Sequence, residues 1–226
     1  MCDGTIWKSL KTKLENKKYN VIIPELKLGK TIKEFTQHTL KLLPEKFIVV
    51  GFSMGGFVAL NLAIYYPKKV QKLILIGSNG RSVSKSRKTL LTKSLNEFNK
   101  NNYIKKLSIN SLNSYFLKKN KNNKRYTKIM NLMAENLGYA SFKSQTNAII
   151  ERPNLLRKLQ KLNMKTLIIS GSQDKMSSRE MNIELKNKIK NSDLSFIPYS
   201  SHFVMFEQSE RFNKAIISWL KKSNNF

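Results

Sequence analysis

Through the first third of the chain, runs of β-branched and aromatic residues alternate with segments whose apolar residues recur every three or four positions. That is the rhythm of strands and amphipathic helices. Residues 3–16 predict a helix with Trp7, Leu10 and Leu14 on one face, and 19–26 (YNVIIPEL) predict a strand closed by Pro24. Thr31-Ile32-Lys33-Glu34 has the pattern of a capping box and opens a helix through Leu43, which Pro44 follows. Phe47, Ile48, Val49 and Val50 form a short buried-type strand, followed by a helix over 54–66 with Val58, Leu62 and Tyr65 among its apolar positions and Pro67 as its stop. Residues 70–76 (VQKLILI) predict the next strand, ended by Gly77. Such alternation implies parallel strands joined by crossover helices.

From about residue 82 to 151 the alternation stops and no strand pattern appears. Scattered helical patterns take its place, among them Leu90, Leu91, Leu95 and Phe98, then Ile129, Leu132, Met133 and Leu137, with a basic connector at 117–128 (LKKNKNNKRYTK). We read this stretch as a helical lobe inserted between strands. Alternation then resumes, with a short helix over 153–162, a strand over 166–170, a loop at 171–174 and a second capping box from Ser177 to Glu180 that starts a helix to about residue 189. A strand over 193–198, a loop holding His202 and a helix over 210–221 with Phe212, Ile216 and Trp219 inward complete the chain. The prediction is an α/β fold with a mostly parallel sheet, divided into a first core part (1–81), the inserted lobe (82–152) and a second core part (153–226).

Composition narrows the class. The 226 residues are 40% hydrophobic and 10% aromatic, which argues against disorder. Cys2 is the single cysteine, so no internal disulfide framework forms, and no zinc-type Cys/His cluster or cofactor signature is present. The opening MCDGTIWKSL lacks a basic head followed by an apolar core, and no run approaches a membrane span, so the default expectation is a cytosolic protein. The formal charge of +28, from 42 Lys and Arg against 14 Asp and Glu, is the largest anomaly. It suits nucleic acid, anionic lipid or an acidic protein. Lys and Asn are enriched everywhere, as an A+T-rich coding sequence would give, and no nucleic-acid-binding motif accompanies them, so the charge is read as compositional; nucleic acid is not expected, and an acidic carrier protein stays a reasonable partner.

The chemistry concentrates at Lys46 to Gly56, KFIVVGFSMGG. Strand, then Gly51-Phe52-Ser53-Met54-Gly55, then helix is the context of a nucleophile elbow. So sharp a turn strains the serine backbone and needs small neighbours, which Gly51 and Gly55 supply at minus two and plus two. The Ser53 hydroxyl then lies at a helix N-terminus, where the Met54 backbone N–H faces any developing oxyanion.

A serine hydroxyl needs a base to become a nucleophile. Asp174 and His202 each lie just past a predicted strand end, in the order Ser, Asp, His, and 202 − 174 = 28 residues leave room for one helix and one strand between them. The alternative roles are a turn aspartate and a structural histidine. The other histidine, His38, sits mid-helix before the elbow and is read as a solvated or half-buried residue.

GFSMGG, the acid in SGSQD, and SSHFVMFEQSERFN resemble the alpha/beta hydrolase superfamily along essentially the whole chain. Within it the sequence is similar to small carboxylesterases of the pimeloyl-carrier-protein methyl ester esterase and lactone hydrolase type, with ERPNLL at 151–156 similar to the segment that leaves their helical cap. The resemblance implies Ser53 as nucleophile, Asp174 as acid, His202 as base and Met54 N–H as one oxyanion donor, acting on a small-molecule or carrier-linked acyl ester without metal or cofactor. Ser201 and Ser209 replace a glycine and a proline usual there, a difference of loop stiffness. The resemblance also implies strands ahead of the first helix, one of which lies between 19–26 and the elbow strand and ends at the second oxyanion donor. That donor would fall just before Met1, so we expect Met1 to be internal to a longer protein, and the form lacking these strands to be catalytically weak. The rival expectations are a non-catalytic module binding an acidic partner or lipid, and a charge-driven nucleic-acid binder.

Overall fold

A computed structural model describes residues 2–27 and 29–223. The expectation about Met1 lies outside these. The chain begins with a 3-10 turn, Gly4–Trp7, whose N-terminus Asp3 caps by accepting from Thr5 N at 2.8 Å. Helix α1, Lys8–Glu15, buries Leu10 and Leu14 as predicted. Helix α2, Ile32–Leu40, starts at the predicted Thr31 cap, with Thr31 Oγ accepting from Glu34 N at 3.1 Å. The Glu34 carboxylate reaches back to Lys30 N at 2.9 Å rather than to the Thr31 amide. His38 lies exposed on α2.

Strand β1, Phe47–Phe52, runs into helix α3, Met54–Tyr65, and strand β2, Val70–Ile76, follows. Three helices come next: α4, Lys85–Glu97, α5, Tyr103–Tyr115, and α6, Lys124–Ile150. The basic connector is therefore shorter than the sequence suggested, because Asn123 caps α6 through its side chain and the helix starts at once. Strand β3, Lys165–Gly171, helix α7, Arg179–Lys188, strand β4, Ser192–Ile197, a short α8, Val204–Glu207, and α9, Ser209–Lys222, complete the order. Among the described residues the sheet has four parallel strands in the order β1-β2-β3-β4.

Alternation along the strands builds two cores. Ile74 and Ile76 of β2, with Leu167 and Ile169 of β3, face α1 and α9 on one side. Leu73 and Leu75, with Ile168, face α2, α3 and α7 on the other. Leu73 to Ile76 are each fully buried, which stabilises the fold by about 1.5–3 kcal/mol per side chain relative to exposure. Helix α3 is buried almost all round, from Gly56 to Ala63, because it packs against α2 as well as on the sheet. The lobe has a core of its own, in which Phe98, Tyr103 and Phe142 stack at 5.5–6.4 Å between centroids. Gly138 breaks α6 with φ 77°, ψ 165°, a conformation that favours glycine.

Four expectations fail. Residues 19–26 take no place in the sheet, because a strand needs a neighbour and, among the described residues, β1 pairs with β2 alone. Residues 153–162 form only a 3-10 turn, Leu159–Lys161: Asn154 Oδ1 accepts from Leu156 N at 3.0 Å and Leu155 N donates to Gly80 O at 2.7 Å, so the backbone is committed elsewhere. The second cap is Ser178 rather than Ser177. Ser177 is instead buried, donating its hydroxyl to Ser78 O at 2.7 Å. Trp219, half-buried, does pack against the core beside the buried Leu220, but Tyr65, Leu90 and Leu132 are exposed, at 54%, 56% and 45%. No described helix is long and apolar enough to cross a membrane.

Candidate active site

Ser53 sits between β1 and α3 with φ 52° and ψ −114°. Positive φ is costly for a residue with a Cβ and is held here by backbone bonds on both sides. Ser53 N donates to Ile76 O at 2.9 Å, and Ser53 O accepts from Gly56 N and from the Ser78 hydroxyl, each at 3.0 Å. The packing identifies which glycines the turn requires. A Cβ on Gly51 would stand 2.5 Å from Gly55 O and 2.8 Å from Ala59 Cβ, and one on Gly56 would stand 2.3 Å from Ser78 Oγ. One on Gly55 would meet only Leu26 Cδ1, at 4.0 Å. The close approach thus depends on Gly51 and Gly56, not on the Gly51 and Gly55 pair read from the motif.

The structure brings Ser53, His202 and Asp174 together. His202 Nε2 lies 3.1 Å from Ser53 Oγ, and His202 Nδ1 lies 2.8 Å from Asp174 Oδ2. Asp174 Oδ1 accepts from Met176 N at 2.7 Å and Ser177 N at 3.0 Å, which fixes the carboxylate and aims Oδ2 at the ring. Nδ1–H donating to Oδ2 leaves the Nε2 lone pair for the serine hydroxyl. The imidazole is buried and packs against Phe52 and Tyr115, at 4.8 and 5.3 Å between centroids. The Met54 N–H belongs to the first turn of α3, where no intrahelical acceptor exists, so it is available to an oxyanion beside Ser53.

Several supports were not legible in the sequence. Glu207 Oε2 accepts from Ser201 N at 2.7 Å, while its Oε1 accepts from Leu117 N at 2.8 Å and Asn120 Nδ2 at 2.6 Å. His202 N donates to Tyr115 O at 3.0 Å. The histidine loop is therefore strapped to the end of α5 from both sides of the imidazole. Gly77, with φ +49°, clears the ring: a Cβ there would stand 3.1 Å from Nδ1. Gly171 does the same for the loop, its Cβ position lying 2.1 Å from Ser201 O. Arg152, where α6 hands over to the second core part, stacks its guanidinium 4.3 Å from the Phe57 centroid. Burial, reinforced by nearby Arg87, pulls that guanidinium down to about 10, and its Nε has no partner.

A cavity of about 570 Å³ opens onto Ser53, Met54, His202 and Tyr115 and continues along β1. Its walls are mostly apolar, which suits an acyl chain beside the serine. Among the described residues no group of three or more His, Cys, Asp and Glu side chains is placed to hold a metal ion.

Comparison with known proteins bears on the family and the fold. The family model described as alpha/beta hydrolase fold matches residues 30–209. Among curated relatives, the pimeloyl-[acyl-carrier protein] methyl ester esterase of Wigglesworthia glossinidia brevipalpis is 28% identical over 80% of this chain and 72% of its own. A 2-hydroxy-6-oxononadienedioate/2-hydroxy-6-oxononatrienedioate hydrolase of Pseudomonas putida is 26% identical over 80% and 65%. The match to that hydrolase thus spans slightly under two thirds of its length. Among solved structures, a thermophilic esterase from Thermogutta terrifontis superposes with a TM-score of 0.89 at 23% identity, over 98% of this chain and 86% of its own.

Proposed function

Since the chain belongs to the alpha/beta hydrolase fold family, we propose that it is a serine hydrolase of carboxylic esters, with Ser53, His202 and Asp174 as its triad and residues 82–152 as the cap over its substrate. The observation that carries this is the continuous hydrogen-bonded path from Asp174 Oδ2 through the imidazole to Ser53 Oγ, 2.8 and 3.1 Å.

Ser53 Oγ attacks the ester carbonyl as its proton passes to His202 Nε2. Asp174 holds the ring's orientation and stabilises the imidazolium. The carbonyl oxygen becomes an oxyanion that accepts from Met54 N–H, at the positive end of α3. Collapse breaks the bond to the alcohol oxygen, which takes the proton from Nε2 and leaves as the free alcohol. Water, deprotonated by the same nitrogen, then attacks the acyl-enzyme and releases the carboxylic acid.

For substrate we favour an acyl ester carried on an acidic protein. The formal charge of +28 supports this through electrostatic steering, and the relative from Wigglesworthia is named for such a substrate. A fluorophosphonate probe tests the chemistry: labelling of the protein that disappears in Ser53→Ala is expected. Absence of labelling in the folded wild type would favour the rival reading, a binding module for an acidic partner, which rests on the charge alone.

A further inference from the structure

We propose that the Tyr115 hydroxyl, held by Arg87, is a further catalytic group of this site: it donates a hydrogen bond to the alcohol-side oxygen of the bound ester as that oxygen leaves. The proposal rests on the hydrolase reading above and assigns the leaving-group side of the same site. Tyr115 is the last residue of α5 and so belongs to the inserted lobe, yet it lines the cavity with Ser53, Met54 and His202. Its ring packs on the imidazole at 5.3 Å between centroids and on Phe203 at 6.0 Å. Its backbone oxygen accepts from His202 N at 3.0 Å and from Phe203 N at 3.3 Å. Ring and main chain together fix the phenol against the base, and none of those contacts uses the hydroxyl.

The hydroxyl has a bond of its own: Arg87 Nη2, from α4, donates to it at 2.8 Å. A guanidinium only donates, so the phenolic oxygen accepts and its own proton must point elsewhere. Among the described residues that proton meets no acceptor, and Arg87 forms no ion pair, so the phenol is the anchor of its charge. The proton is thus left for an acceptor brought into the cavity. A phenol that already accepts from a cation is also the stronger donor, because its oxygen is polarised. Which substrate oxygen it meets follows from the division of the site. The carbonyl oxygen is drawn to the Met54 N–H at the start of α3, whereas the alcohol oxygen must lie near His202 Nε2, the nitrogen that protonates it. Tyr115 flanks the imidazole, so its hydroxyl serves the second. When the tetrahedral intermediate collapses, the carbon–oxygen bond to the alcohol breaks and its electron pair goes to that oxygen. The proton comes from Nε2, while Tyr115 keeps its own and stabilises the developing charge through the hydrogen bond. Such help matters for an alkoxide and adds little for a leaving group already stable as an anion.

The test compares the whole protein with Tyr115→Phe, which removes one oxygen and keeps the ring and the backbone bonds, on two esters of one acid, ethyl butyrate and p-nitrophenyl butyrate. The loss of kcat/KM with the ethyl ester is expected to exceed the loss with the p-nitrophenyl ester by about 10- to 100-fold. Arg87→Met should produce the same split at smaller size, since the hydroxyl remains but is neither held nor polarised. A role confined to packing would lower both esters alike. Equal losses in Tyr115→Phe would therefore overturn the proposal, as would unchanged turnover of the ethyl ester, and no split in Arg87→Met would remove the part given to Arg87. Fluorophosphonate labelling keeps the two readings apart. A wild type that neither labels nor hydrolyses either ester ends the hydrolase reading and this one with it, whereas one that does both without the split ends this one alone.

Discussion

At one margin of the sheet, β4 reads Ser192-Asp193-Leu194-Ser195-Phe196-Ile197; at the other, β1 reads Phe47-Ile48-Val49-Val50-Gly51-Phe52. The first carries polar residues and is dressed by its neighbours. Asp193 accepts from Trp219 Nε1 at 2.7 Å, and the Arg179 guanidinium lies 4.4 Å from the Phe196 centroid. The second is wholly apolar and faces a cavity. Polar and charged residues at an edge discourage further pairing, and their absence invites it. The candidate site straddles this difference, taking its base from the loop after β4 and its nucleophile from the end of β1. The lesson is that the two margins that carry the site differ in dress: the base follows a strand whose polar and aromatic side chains are engaged by neighbours, the nucleophile one whose side chains are all apolar.

The largest expected effect breaks the assembled side. His202→Ala should lower kcat/KM for a p-nitrophenyl ester by about 10⁴ or more with the thermal midpoint little changed, because the relay loses its base. Next comes the nucleophile side. Gly51→Ala drives a Cβ to within 2.5 Å of Gly55 O and should cost about 3 kcal/mol in urea unfolding, whereas Gly55→Ala should stay within about 0.5 kcal/mol. Equal costs would mean that the elbow does not discriminate between its glycines. Glu207→Ala should cost about 1–3 kcal/mol and lower kcat more than it raises KM, since Ser201 N and Leu117 N lose their acceptor and the histidine loop loosens. The smallest effect concerns the dressed margin: Trp219→Phe removes the bond to Asp193 and should cost about 1 kcal/mol without touching turnover, as differential scanning calorimetry and a steady-state assay would show.

Much of this was legible in the chain. The strands at 70–76 and 166–170 announced themselves as β-branched runs that a covered parallel sheet requires, and the structure places them as β2 and β3. Ser53, Asp174 and His202 were legible because each follows a strand, and strand ends in one parallel sheet share one edge of the molecule. What escaped depends on distant partners. Residues 19–26 have strand composition, but pairing is decided by what stands alongside. Leu155, Leu156, Leu159 and Leu162 repeat at helical spacing, yet Pro153 and the Asn154 turn commit the backbone before a helix can start. Ser177 has a cap's sequence context but spends its hydroxyl on Ser78, 99 residues away. Glu207 escaped because, besides nearby Ser201, its partners Leu117 and Asn120 lie 90 and 87 residues away.

That last carboxylate joins two segments far apart in the chain. With Oε1 on the turn after α5 and Oε2 on the residue before His202, it ties the end of that helix to the loop that carries the imidazole. Loss of either half of that tie therefore reaches the other, because a carboxylate freed at Oε1 can turn and withdraw Oε2 from the amide before His202.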